Sequence, residues 1–241
     1  MSDIIIRSAE DSHLIDSPLL LSRNNGFTFE QRFFKRAVDV ILTLALLFVF
    51  SPIMLVTALA IKLYDRGPVL FLQERYTKGE QKFMIYKFRS MKINSDSIKY
   101  VPTMEDDPRV TPVGRVIRQL RIDEMPQFFN ILKGEMSLIG PRAESVKLTD
   151  AYVQDIPEFK YRLKVKSGLT GYAQVHGKYN TTPYDKLKLD LMYIQNYSWL
   201  MDMEIIFLTV KILFMKDSTE GFTEEQCATL DIEEAKNGTK K

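Results

Sequence analysis

Val40–Ile61, VILTLALLFVFSPIMLVTALAI, runs without a charged residue and carries Ser51-Pro52 near its middle. As a straight helix it would reach about 33 Å, enough for a hydrocarbon core of about 30 Å. Pro52 removes a backbone donor and clashes with the carbonyl four residues earlier. Ser51 is pushed away from helical dihedrals by the proline after it, while its hydroxyl can bond freed backbone groups. Arg32, Lys35 and Arg36 precede the run, and Lys62 and Arg66 follow it. Cations at both ends give the positive-inside rule no direction. A hairpin that dips into one leaflet and returns places both basic ends on one side. A spanning helix with a tolerated proline, and a buried core helix, fit the same letters.

The remainder of the chain bears on that choice. At 241 residues, 45% hydrophobic and 27% charged, it can hold one compact domain plus the membrane element. The net charge of +2 supplies no global field for nucleic acid, so any basic site is local. A single cysteine, Cys227, excludes an internal disulfide framework and fits a reducing compartment. Asp3, Glu10, Asp11 and Asp16 precede the apolar run, which is not the pattern of a secretory signal. The bulk domain is therefore expected in the cytosol, and that requires the segment to return.

Four regions follow: an N-terminal extension (1–30), the membrane hairpin (31–66), a catalytic domain (67–216) and a polar tail (217–241). Strand-like runs at Val69–Tyr76 and Lys82–Met91, around Thr77-Lys78-Gly79-Glu80, predict a β-hairpin. Residues 94–113, with Pro102, Pro108 and Pro112, predict a loop, and Gly114–Leu120 a helix. Pro126–Leu132 predicts a short helix with Lys133 in its last turn and Gly134 as a left-handed cap. Thr149–Lys164 is helix-compatible around Pro157, Ser167–Gly171 reads as a glycine-bearing loop, and Tyr184–Asn196 and Met203–Met215 read as helices.

The basic residues cluster. Lys87 and Arg89 are two apart on a predicted strand and share a face. Arg115, Arg118 and Arg121 are three apart, so a helix would stack them along one side. Arg142 follows Gly140-Pro141. Arginine forks suit phosphate, and several can hold a diphosphate. For any one of them a solvated basic face, or a patch on anionic lipid, is the better reading; for the set around an acidic pair, phosphate binding is. Among them lies Asp123-Glu124, just before Met125-Pro126. Acids there serve as helix caps and complement the dipole. They also suit chemistry: an ionised Asp can attack phosphorus to form an acyl phosphate, and Glu can hold Mg²⁺ together with substrate phosphates. No dinucleotide fingerprint, Walker loop or nucleophile elbow is present. His13 and His176 have no metal-ligand spacing.

Several motifs occur in a fixed order. Phe34-Lys35-Arg36-Ala37-Val38-Asp39 opens the membrane segment, Ser51-Pro52 breaks it, and Lys87-Phe88-Arg89-Ser90-Met91 ends the hairpin. Then come Asp107-Pro108-Arg109-Val110-Thr111, Asp123-Glu124-Met125-Pro126-Gln127, Met136 through Arg142, Gly168 through Val175, and Asp190, Tyr193 and Asn196. Over roughly residues 33–215 the chain resembles the bacterial sugar transferases, the monotopic phosphoglycosyl transferases that start exopolysaccharide and O-antigen units. Ala143 and Ser167 stand where the family usually has proline, and Met125 where it has leucine.

The resemblance implies an α+β, mostly helical monotopic membrane protein. It would have a re-entrant helix-break-helix hairpin, a small β-hairpin and interfacial amphipathic helices, with its catalytic domain on the cytosolic face of the bacterial inner membrane. It implies transfer of sugar-1-phosphate from a UDP-sugar to polyprenyl (undecaprenyl) phosphate, with UMP released. Asp123 would be the nucleophile, Glu124 the Mg²⁺ ligand, and Arg89 and Arg142 phosphate contacts, with Lys87 and Arg115 beside them. Ser51 and Pro52 would set the hairpin's angle. Homo-oligomers and the choice of sugar stay open. Two rivals do too: direct glycosyl transfer releasing UDP, and a Mg²⁺-independent lipid-binding scaffold.

Overall fold

Helix α1 runs from Phe29 to Asp65 over 37 residues, with Pro52 inside it. The structure, a computed structural model, describes residues 27–92, 107–177 and 181–213. Among these α1 is the one helix long and apolar enough to cross a membrane. Ser51 and Pro52 stand within this single helical element, so the expected break is not a gap in helical structure. A proline costs the ladder one bond locally and need not end the helix when neighbouring groups re-satisfy the backbone.

The pattern of burial along α1 is inverted relative to a soluble amphipathic helix. Phe33, Ile41, Phe48, Leu55, Val56 and Leu59 are exposed, whereas Lys35, Asp39 and Thr43 are buried. The three polar residues are four apart and form one stripe. Large apolar side chains facing out and a polar stripe facing in suit a lipid surround better than water.

The chain divides into two compact units, and α1 contributes to both. Among the described residues, the first comprises those up to Val49, within Leu72–Ile85 and within Gln127–Val210; the second comprises those within Phe50–Phe71, within Tyr86–Pro126 and from Lys211 on. Strands β1 (Leu70–Thr77) and β2 (Gln81–Phe88) form the expected hairpin, also contributing to both units. Gly79 takes φ 69° in the connecting Lys78–Glu80 turn, a conformation glycine adopts without a Cβ penalty.

In the first unit, α3 (Gln127–Lys133) ends at Gly134 with φ 84°, as its sequence predicts. β3 (Ser137–Ile139) and β4 (Gly168–Thr170) pair in parallel, with Ser137 opposite Gly168 and Ile139 opposite Thr170. The stretch expected to be a glycine loop is therefore partly strand. Its glycines serve close backbone approach: a Cβ on Gly168 would stand 2.1 Å from the Gly140 nitrogen. Three further helices, α4 (Val146–Asp155), α5 (Tyr172–His176) and α6 (Pro183–Gln195), precede α7 (Trp199–Leu213). Pro157 does divide its segment, starting a 3-10 stretch over Pro157–Lys164. Ile131, Phe159, Leu187, Tyr193 and Ile205 are fully buried and form the core.

The Lys35-Arg36-Ala37-Val38-Asp39 motif anchors α1 within this unit. Lys35 Nζ lies 2.7 Å from Asp202 on α7, which also accepts from the Tyr193 hydroxyl at 2.8 Å. Arg36 donates to the Ile131 and Leu132 carbonyls at the end of α3. Asp39 accepts from the Leu138 amide at 3.0 Å and the Ser137 hydroxyl at 3.1 Å. Two cations read from sequence as membrane flanks are thus engaged inside the protein. The N-terminal extension up to residue 26, most of the expected loop at 94–113, Cys227 and the polar tail lie outside the described residues.

Candidate active site

The acidic pair is positioned by a short chain of local choices in the second unit. After β2, the Ser90 carbonyl accepts from the Thr111 amide at 3.0 Å. Thr111 caps α2 (Pro112–Gln119), its hydroxyl accepting from the Gly114 amide at 2.9 Å. A Cβ on Gly114 would come within 1.9 Å of the Ser90 carbonyl oxygen, so only glycine lets α2 start this close. Helix α2 stops at Gln119, and Arg121 turns left-handed with φ 55°. That conformation is costly for a residue with a Cβ. It leads directly into a 3-10 turn, Ile122–Glu124, which carries both acids.

Arg121 therefore lies beyond α2, and the expected three-arginine stack is limited to Arg115 and Arg118. Arg115 is exposed on α2. The charges of Arg118 and Arg121, read from sequence as part of the basic cluster but not among the named phosphate contacts, act on Asp123.

Lys87, at the end of β2, donates to Glu124 at 2.7 Å, with both side chains largely buried. The lysine expected to meet phosphate is thus in contact with the acid expected to hold a cation. Asp123 is pushed up to about 6, first by burial and then by the adjacent Glu124 charge; Lys87, Arg118 and Arg121 pull it back only in part. A carboxyl balanced this way is ionised near neutral pH yet poorly solvated, which favours nucleophilic attack.

Arg89 follows β2 and is buried, with an ion pair from Nη2 to Asp65 at the end of α1. Arg142 belongs to the first unit. There it forms a backbone bridge to Gly168, and its carbonyl accepts from Arg162 at 2.9 Å. Next to it Glu144 is met by Lys186 at 3.0 Å and by Arg75 and Arg162 at 4.0 Å. Burial alone would raise the Glu144 carboxyl, but Lys186, Arg162 and Arg142 hold it down at about 2. Arg162 also pairs with buried Asp190 at 2.6 Å. This network escaped sequence reading because its members come from β1, the β3–α4 loop, the 3-10 stretch and α6.

Among the described residues no group of three or more His, Cys, Asp or Glu could hold a metal ion. Mg²⁺ usually takes one or two carboxylates and completes its shell with water and substrate phosphates. Adjacent Asp123 and Glu124, the latter already meeting an ammonium, fit that lesser demand.

A family model described as bacterial sugar transferase matches residues 30–216. An Aeromonas hydrophila UDP-N-acetylgalactosamine-undecaprenyl-phosphate N-acetylgalactosaminephosphotransferase is 47% identical over 75% of this chain and 44% of its own length. A Klebsiella pneumoniae UDP-glucose:undecaprenyl-phosphate glucose-1-phosphate transferase is 41% identical over 82% of this chain and 42% of its own. The exopolysaccharide production protein PSS of Rhizobium leguminosarum bv. phaseoli is 39% identical over 73% of this chain and 92% of its own. The chain thus spans less than half the length of the first two relatives and nearly all of the third. On the family match and these identities, the chain belongs to the bacterial sugar transferase family.

Proposed function

We propose that this protein transfers a sugar-1-phosphate from a UDP-sugar to undecaprenyl phosphate, releasing UMP, as a first membrane step of exopolysaccharide or O-antigen type assembly. The observation that carries the reading is the half-buried Asp123 carboxyl, raised to about 6 beside Glu124, Lys87, Arg118 and Arg121. The relatives' names supply the substrate classes: UDP-sugar donors and an undecaprenyl phosphate acceptor. Those names include both glucose and N-acetylgalactosamine, so the donor is assigned by class alone.

An Asp123 oxygen attacks the sugar-bearing phosphorus; a new P–O bond forms, the bond to the UMP oxygen breaks, and UMP leaves. A phosphosugar-aspartyl enzyme remains. An oxygen of undecaprenyl phosphate then attacks the same phosphorus, and breaking the P–O bond to Asp123 restores the carboxylate. Phosphoryl transfer of this kind needs chiefly positioning and charge stabilisation, which Lys87, Arg89, Arg118 and Arg121 can provide. Glu124, with Asp123 adjacent, would hold Mg²⁺, which supplies charge neutralisation on the diphosphate. Arg115 is a further candidate phosphate contact in this unit, and Arg142 is a separate candidate in the first unit.

For the membrane element we favour a re-entrant helix bent at Ser51 and Pro52, with the catalytic residues on the cytosolic side. Support for lipid contact comes from the outward apolar face of α1, and for the bend from Pro52 inside an uncharged run with cations at both ends. Intact-protein mass spectrometry after incubation with UDP-sugars and Mg²⁺, without lipid acceptor, tests the chemistry. A mass gain equal to one sugar phosphate, with one UMP released per enzyme, is expected. Release of UDP, or no adduct with any donor, would refute it.

A further inference from the structure

Arg89 carries an unfinished set of bonds. Its backbone amide donates to the Val69 carbonyl at 2.9 Å, and its side chain is held against the end of α1. Nη2 pairs with Asp65 Oδ1, while Nη1 is buried with no hydrogen-bond partner among the described residues, on a residue only 8% exposed. A carboxylate free to choose often takes an arginine fork through both nitrogens. Here Oδ1 also accepts from the Gly67 amide at 3.2 Å, which fixes the carboxylate at the turn after α1. Lys62 secures the same turn, donating to the Arg66 and Gly67 carbonyls at 3.3 and 3.4 Å. A buried guanidinium N–H without an acceptor is costly unless something else supplies one. Phosphate oxygens are the acceptors that match an arginine fork best.

We propose that Asp65 is a positioning residue: it fixes the Arg89 guanidinium so that Nη1 is presented to a phosphate oxygen of the sugar-nucleotide donor. The inference rests on the transferase reading above. It ties donor binding to the exit of the membrane helix, because Asp65 is the last residue of α1. Asp65 touches no substrate and acts only through Arg89.

Asp65→Asn keeps an oxygen for the Gly67 amide and removes the charge that orients Arg89. The test uses the full chain with undecaprenyl phosphate and Mg²⁺. The donor is whichever of UDP-glucose, UDP-galactose and UDP-N-acetylgalactosamine the wild type turns over. Donor KM and kcat are measured for wild type, Asp65→Asn, Arg89→Gln and the double variant. Asp65→Asn is expected to raise donor KM about tenfold, the scale of one charge-assisted contact, with kcat changed less than threefold. In the Arg89→Gln background the same substitution should change nothing further. An unaltered KM in Asp65→Asn, or an equal penalty with and without Arg89, overturns the inference while leaving the transferase reading intact. No turnover by the wild type overturns that reading and this inference with it. Should Asp65→Asn fail to fold, Asp65→Ser takes its place; if neither folds, Asp65 is a purely structural tie and the inference is wrong.

Discussion

Glu144 in the first unit and Asp123 in the second are both acids withdrawn from water among lysines and arginines, and their proton affinities move in opposite directions. Around Glu144, Lys186 stands at 3.0 Å with Arg75 and Arg162 at 4.0 Å, and the carboxyl falls to about 2. Around Asp123 the cations do not offset burial and the neighbouring Glu124 charge, and the carboxyl rises to about 6. Glu124, not Asp123, receives the direct contact from Lys87 at 2.7 Å. Composition is alike in the two places; what differs is which acid the nearest ammonium touches. A saturated carboxylate is a strut, and an unsaturated one beside a second acid retains its reactivity.

Four experiments bear on this contrast, taken from the largest expected effect downward. Asp123→Asn, which keeps the shape and removes the nucleophile, should lower UMP release at least about 10³-fold. A loss below tenfold in a radiometric donor assay would place the reacting group elsewhere. Glu144→Gln should instead spare the chemistry and cost about 3 kcal/mol of stability at neutral pH, read by denaturant unfolding in detergent. The sign follows from its depressed folded-state value. Its contribution is present above the ordinary glutamate range and is lost as pH falls from about 4.5 through about 2. The variant should therefore lose less stability than wild type across that window.

Lys87→Gln removes a cation that pulls Asp123 down and releases Glu124. Activity at pH 7 should fall about tenfold, and the acid limb of the rate profile should move to higher pH. Lys87→Arg should retain the position of that limb; a limb shifted equally in both variants would show that charge is not what Lys87 contributes. The smallest effect is in the wild type itself. Because Asp123 must be ionised to attack and its carboxyl is raised, UMP release should decline as pH drops through about 6. A rate that stays flat to pH 5, with the fold intact by circular dichroism, would contradict this proton balance.

Much of the local structure was legible beforehand. The β1–β2 hairpin, the short α3 with its Gly134 cap, and α6 follow from patterns confined to a few neighbouring residues. The Asp123-Glu124 pair stood out for the same reason, since both acids and their Pro126 punctuation are contiguous. The β3–β4 pairing was not legible, because it joins three-residue strands about thirty positions apart and its glycines resemble an ordinary loop. The Lys35–Asp202 pair was equally hidden: a lysine beside an apolar run looks like a membrane flank until its partner on α7 is known. Arg121 was misplaced because spacing by three presumes a helix that in fact ends at Gln119.

The amino-acid order determined family membership, the uncharged run of α1 with its internal Ser51-Pro52, and which residue types are available for phosphoryl transfer. These depend on side-chain chemistry and short-range periodicity, both of which can be read one residue at a time. Tertiary structure alone decided that Lys87 meets Glu124, that Arg89 is tied to Asp65, and that Arg118 and Arg121 temper Asp123. Coulomb energies depend on separation and on exclusion of water, and neither exists until distant segments have packed together.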